Sequence, residues 1–323
     1  MKNFKNKLWL LFAISAGLCW GVWGVVAKFI SDDVNPYMNH VLFTIGMLCT
    51  IPLVIRKCKM PALNSKGFVW GLIAGVVAVA GNVSVYYAFS SGGQASIVIP
   101  ATNLYPLVTI LIAIVFFKEK MNAFNVFGLL LAIPAILLLS GEPLLFTDPA
   151  GFFKALGLNN WLLYSFAALV CWGVFSACQK VTTNHISAEW SYAVFVIASV
   201  LISLIFLSTG KVNFALSQKT FVLGTIAGML NGLGVLASFA AYRAEGKASA
   251  VTTIAGALQP MFTILLAIIF LNENFSGMEA SGMLLAVIGA LLLSYEKKEK
   301  TEPGSRIELP VTNKKLTYEQ NAK

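Results

Sequence analysis

The chain has 323 residues, of which 58 % are hydrophobic and only 11 % charged, with a formal net charge of +9. Soluble domains carry roughly 25 % charged residues, so this composition cannot clothe a soluble fold of that length and excludes a soluble enzyme, a secreted disulfide scaffold and a disordered protein. The excess of Lys and Arg lies in short loops and in the C-terminal stretch rather than on one soluble face, which excludes a nucleic-acid binder.

The apolar runs predict an all-α polytopic membrane protein with ten transmembrane helices, because lipid offers no partner for an unpaired backbone group and each run is long enough to cross as helix. The first, 8–30, follows Lys2, Lys5 and Lys7 and holds Trp20 and Trp23 three apart at mid-span. It is too long for a signal peptide, lacks a small-residue cleavage site, and is read as retained. The second covers 36–56. The third, 67–90, places Asn82 and Tyr86 four apart on one face. The fourth, 95–117, sets Asn103 between Pro100 and Pro106, where missing donors and ring clashes loosen the helix and free carbonyls. The fifth covers 123–140, and Gly141, Glu142, Pro143, Asp148, Pro149 and Gly151 mark 141–159 as a connector.

The sixth span, 160–182, carries a stripe of Trp172, Phe175 and Gln179. The seventh covers 189–209. The eighth, 219–242, has Asn231 and Ser238 on one face; the ninth, 248–271, has Thr252 and Gln259 on one face, followed by Pro260. The tenth covers 277–295, and 296–323 reads as a flexible cytoplasmic tail without apolar periodicity.

Loop charge sets the orientation. With the N-terminus cytoplasmic, 19 of the 23 basic residues fall inside, leaving Lys28, Lys154, Lys211 and Lys219 outside. Trp9, Trp70, Trp161 and Trp190 sit at span ends, as a headgroup belt requires. The expected location is the plasma membrane, multi-pass, with both termini cytoplasmic. Five cysteines without a CxxC pair, and only His40 and His185, argue against a metal site.

Self-comparison is the strongest signal. Cys19-Trp20-Gly21-Val22 recurs as Cys171-Trp172-Gly173-Val174, and 86–140 aligns without a gap on 240–294, with 19 identities in 55 pairs. Gly92/Gly246, Pro106/Pro260, Glu119/Glu273 and Gly128/Gly282 are among them. The chain therefore divides into a first five-helix repeat (1–140), the connector (141–159), a second repeat (160–295) and the tail (296–323). Five spans is an odd number, so the second copy enters from the opposite side: the repeats are inverted, the recurring construction of secondary transporters.

These residues carry a resemblance. Trp-Gly near the start of each half, the Pro of Leu104-Tyr105-Pro106 and Leu258-Gln259-Pro260, and the acid of Phe117-Lys118-Glu119-Lys120 and Leu271-Asn272-Glu273-Asn274 resemble the drug/metabolite transporter superfamily with two EamA-type repeats. The resemblance covers residues 8–295 and implies a central cavity lined by the first, third and fourth helices of each half. It leaves the substrate open, since that superfamily handles amino acids, sugars, nucleotide-linked metabolites, amines and drugs.

No Asp or Glu falls mid-span, which argues against an embedded carboxylate relay. The polar and aromatic residues at depth are Trp20, Trp23, Asn82, Tyr86, Asn103, Trp172, Gln179, Asn231, Thr252 and Gln259, expected to wall an uncharged, amide-rich cavity for a small polar or zwitterionic solute. Each has a competing role as packing glue between helices. Pro106 and Pro260 are expected hinges, and Glu119 and Glu273 helix caps or partners of loop lysines. Lys28 and Lys180 suit either a substrate anion or snorkelling to the interface. The expected function is a secondary carrier of an amino-acid-like metabolite working by alternating access. A drug or amine exporter, a sugar or nucleotide-linked exchanger, and a non-transport membrane protein are the alternatives. No enzyme motif and no GxxxxGK[ST] loop occurs, so neither catalysis nor a cofactor is implied. The partners expected are the lipid bilayer and a small-molecule substrate, with a homodimer left open.

Overall fold

The computed structural model describes residues 8–55, 64–117, 122–139, 160–183, 185–243, 248–293 and 295, with side chains described except at 55, 113, 114, 116, 117, 180, 239, 242, 243 and 248–253. The connector 141–159, the tail 296–323, Glu119 and the side chains of Lys180 and Thr252 lie outside these described residues. The first half contains α1 (Leu8–Ser31), α2 (Pro36–Ile55), α3 (Ser65–Ser90), α4 (Ala95–Thr102), α5 (Pro106–Phe117) and α6 (Ala123–Leu139). The second contains α7 (Asn160–Thr183), α8 (Ala188–Ser208), α9 (Gln218–Arg243), α10 (Ala248–Leu271) and α11 (Gly277–Leu293). Among the described residues there is no strand.

Among the described residues eight spans are long and apolar enough to cross a membrane, α4 and α5 together making one of them, and α6 and α11 are shorter apolar helices of 17 residues each. That makes ten transmembrane helices in two inverted five-helix repeats. Local chemistry fixes several ends. The Asn64 side chain accepts from the Gly67 amide at 3.1 Å, and the Ser187 hydroxyl from that of Trp190 at 3.5 Å, filling donors that a helix start leaves open. The fourth span breaks over 103–105, where Leu104 N–H and Tyr105 N–H donate three residues back to Ala101 and Thr102. Pro106, which has no N–H to lose, is then the first residue of α5.

The most extensive packing joins opposite halves: α3 with α7, α1 with α9, α6 with α11, α1 with α10, α2 with α9 and α3 with α8. Exchanging the halves maps this pattern onto itself once the packing of α7 on α5 and α4 is set against that of α1 on α10. Sequence mates lie 152 apart in α1 and α2, 153 in α3 and 154 from α4 to α6, as Cys19/Cys171, Gly71/Gly224 and Pro106/Pro260 illustrate. The glycines obey the same operation. A Cβ on Gly21 would meet Phe262 and Gln259, and one on its mate Gly173 would meet Val108 and Tyr105, the mates of those two residues. Gly71 abuts Val194 and Thr182 while Gly224 abuts Leu42 and Ile30; Gly128 meets Leu293 while Gly282 meets Leu139. The small residues at four-residue spacing thus set close contacts across the pseudo-two-fold axis.

Candidate functional site

Where α1, α3, α7, α9 and α10 converge around the broken fourth span they leave a cavity of about 110 Å³. Its core is built from mates. Trp20 and Trp172, Trp23 and Phe175, Ala78 and Asn231, Asn82 and Val235, and Tyr105 and Gln259 all border it, one member of each pair from each half. In two of those pairs the polar amide faces an apolar mate, so duplication supplied the positions and divergence supplied the chemistry.

The remaining lining is one-sided. Ser176, Gln179, Phe195, Ser238, Ala255 and Gly256 border the cavity, all from the second half. Their mates Gly24, Ala27, Phe43, Val85, Ala101 and Thr102 are all buried. In α7 and α9 the lining falls in the C-terminal half of the helix and in α10 in the N-terminal half, so the cavity extends toward the end where α10 starts. A Cβ on Gly256 would meet nothing within 4 Å. At the opposite end, where α4 starts, every residue of Ala95–Thr102 is buried, and Val85, Phe89, Val98 and Ile99 are fully enclosed.

That closed end is tied across the halves. The Glu273 carboxylate, just after α10, accepts from the Ala95 amide through Oε1 at 2.8 Å and from the Ser96 amide through Oε2 at 2.9 Å. It serves the start of α4, whose own N-cap Gln94 makes no side-chain cap bond. Asn272 turns the chain into this position with φ 51°, a left-handed conformation that Asn tolerates better than most residues. Lys28 does not border the cavity: its Nζ lies 3.2 Å from Asp32 Oδ1 and 3.4 Å from the Phe89 carbonyl.

Of the residues expected at the site, Trp20, Trp23, Asn82, Trp172, Gln179, Asn231 and Gln259 border the cavity. Trp172 donates its indole N–H to Asn82 Oδ1 at 3.2 Å, fixing both side chains. Tyr86 and Asn103 do not border it. Tyr86 is fully buried behind Trp23, their rings 6.5 Å apart, and Asn103 folds its amide back onto the Ile99 carbonyl at 2.9 Å. Pro260 lies inside an unbroken α10, unlike its mate Pro106. Tyr105, Ser176 and Phe195 are lining residues that sequence reasoning passed over; Tyr105 was reachable as the mate of Gln259. Among the described residues no three His, Cys, Asp or Glu side chains gather in a way that could hold a metal.

The sequence model of the EamA-like transporter family matches residues 7–141 and 159–295, once for each repeat. The chain belongs to the EamA-like transporter family. An uncharacterized transporter of Archaeoglobus fulgidus is 21 % identical over 289 residues, 88 % of this chain and 97 % of that protein. An uncharacterized protein of Methanocaldococcus jannaschii is 26 % identical over 132 residues, 41 % of this chain and 95 % of its own length. That relative is thus about one repeat long. A solved crystal structure superposes with a TM-score of 0.59 at 18 % identity, covering 88 % of this chain and 96 % of that one, a likeness of fold.

Proposed function

We propose that this EamA-like transporter is a secondary carrier, not an enzyme, that moves a small polar or zwitterionic, amino-acid-like solute by alternating access. One observation carries the reading: the cavity has a core of paired mates and an extension on one side only, while the mates of that extension are packed shut. In an inverted repeat, letting each half adopt the other's conformation closes the open end and opens the closed one around an unmoved core. Pro106 and Pro260 are the proposed hinges, since their helices already differ between the halves. With both termini in the cytoplasm of a plasma-membrane protein, the open end faces the cytoplasm.

Cysteine accessibility tests this without knowing the solute. In a chain whose five native cysteines are replaced, Ser176→Cys should react with a membrane-impermeant thiol reagent from the open side. Ile99→Cys, fully buried here, should react from the opposite side only, and slowly, through the minor state. If Ile99→Cys never reacts from either side while Ser176→Cys does, the protein does not alternate.

A further inference from the structure

The cavity's lining also constrains the solute's chemistry, a step that rests on the carrier reading. Trp20, Trp23, Tyr105, Trp172 and Phe175 all border it. Ring centroids of Trp23 and Trp172 lie 6.1 Å apart at 54°, and those of Tyr105 and Trp172 6.5 Å apart at 90°. Side chains from both halves thus merge into one aromatic wall. No Asp, Glu, Lys, Arg or His borders the cavity among the described residues, and its polar side chains are the amides Asn82, Gln179, Asn231 and Gln259 with Ser176 and Ser238.

Four solute classes meet this wall differently. A net anion finds no basic side chain among the described lining residues. A sugar presents hydroxyls all round its ring, each needing a partner when buried, against a wall that is aromatic over much of its extent. A primary ammonium is a compact, strongly hydrated point charge; amide and hydroxyl oxygens can accept from it, but no carboxylate among the described lining residues offsets its charge. A methylated ammonium has no N–H to satisfy, and its diffuse charge is held by aromatic faces. A lone cation would still lack a counter-charge in a low-dielectric interior, so an anion within the same solute, held by the amide N–H donors, completes the match.

We infer that the cavity binds a methylated-ammonium zwitterion, a betaine, with its trimethylammonium group against the wall of Trp20, Trp23, Tyr105 and Trp172. The test is a ligand series on the purified full chain in detergent, read as the rise in melting temperature with concentration. Trimethylglycine should bind at least tenfold tighter than glycine, choline or glucose. Trp172→Leu should weaken trimethylglycine about tenfold, the scale of one desolvated cation–π contact, whereas Trp172→Phe, which keeps a ring, should retain the preference over glycine. Glycine, choline or glucose binding as tightly as trimethylglycine would overturn the assignment, and so would a series in which none of the four binds. The labelling of Ser176→Cys and Ile99→Cys uses no ligand, so the carrier reading stands or falls apart from this result.

Discussion

Glu273 is the sharpest test of how the closed end is held. Its carboxylate takes two amides at the start of α4, at 2.8 and 2.9 Å, and so bridges the second half to the first. A hydrogen bond to a charged group contributes about 1.5–3 kcal/mol when buried, and an anion at a helix N-terminus adds about 0.3–1 kcal/mol. Glu273 is half-buried, and solvent can replace part of what is lost. A net cost of about 2 kcal/mol for Glu273→Ala follows, or roughly a thirty-fold change in the balance between closed and open. Glu273→Gln keeps one acceptor but no charge and should cost about half as much, a roughly five-fold shift.

The assay is the labelling rate of Ile99→Cys from the side where α4 starts, in each background. The rate should rise about thirty-fold with Glu273→Ala and about five-fold with Glu273→Gln, because the reactive state is the one in which the bridge is broken. Ser176→Cys, on the other side of the core, should label slightly more slowly as the open-end state is depleted. A change of less than twofold at position 99, with the protein still folded by its melting curve, would refute the role of this bridge. Faster labelling at both positions would mean the fold loosened as a whole, which is equally incompatible with a bridge acting on one end.

Three further outcomes bear on the packing and topology. A Cβ on Gly228 would run into the Phe43 backbone carbonyl, which cannot swing aside. Gly228→Ala should therefore cost about 3 kcal/mol and lower the melting temperature by roughly 6 °C, while Gly256→Ala, with open space around it, should melt like the parent. The hydroxyls of Thr50 and Tyr192, 2.5 Å apart, tie α2 to α8 away from the cavity. Tyr192→Phe should cost about 1 kcal/mol in a thermal melt and leave labelling at 99 and 176 within twofold; a larger change there would implicate this pair in the transition. Asp32→Cys and Lys300→Cys should react with impermeant reagent from opposite faces of the membrane, and reaction from one face would break the ten-span arrangement.

The spans and their duplication were legible because lipid imposes one solution on every backbone group, and because Trp20/Trp172 and Pro106/Pro260 keep their offsets through divergence. What a helix that is apolar all round hides is which face meets lipid and which meets a cavity. Asn103 shows the difficulty. It is the most polar residue of the fourth span, but the break between Pro100 and Pro106 leaves the Ile99 carbonyl within reach, and the amide turns back to it. Tyr105, two residues on, borders the cavity instead. Tyr86 lies one turn on from Asn82, nearer the closed end, where it is buried away from the cavity. Depth along the helix separated the two, and periodicity gives the face of a helix but not the depth at which a cavity lies.

The two ends of the cavity are not chemically alike, and under the proposed alternating-access cycle that decides which way the protein rests. On the open side Ser176, Gln179 and Ser238 border the cavity; their mates on the closed side are Gly24, Ala27 and Val85. Water admitted to the present cavity meets hydroxyls and an amide. Water admitted to the opposite end, if the halves exchanged conformations, would meet hydrogen, a methyl and an isopropyl group at these three positions, with the Thr102 hydroxyl in place of Gly256 the one polar gain, and the added apolar surface would cost roughly 25 cal/mol per Å². The empty carrier should therefore favour the state seen here even before Glu273 contributes, and the fraction in the alternative state sets how far affinity from that side is lowered. In that proposed cycle a solute in the core would contact the paired positions in both states and would not bias them by itself. In the proposed cycle the asymmetry of rest thus resides in the positions that border the cavity from one half only, at Gly24/Ser176, Ala27/Gln179 and Val85/Ser238 above all.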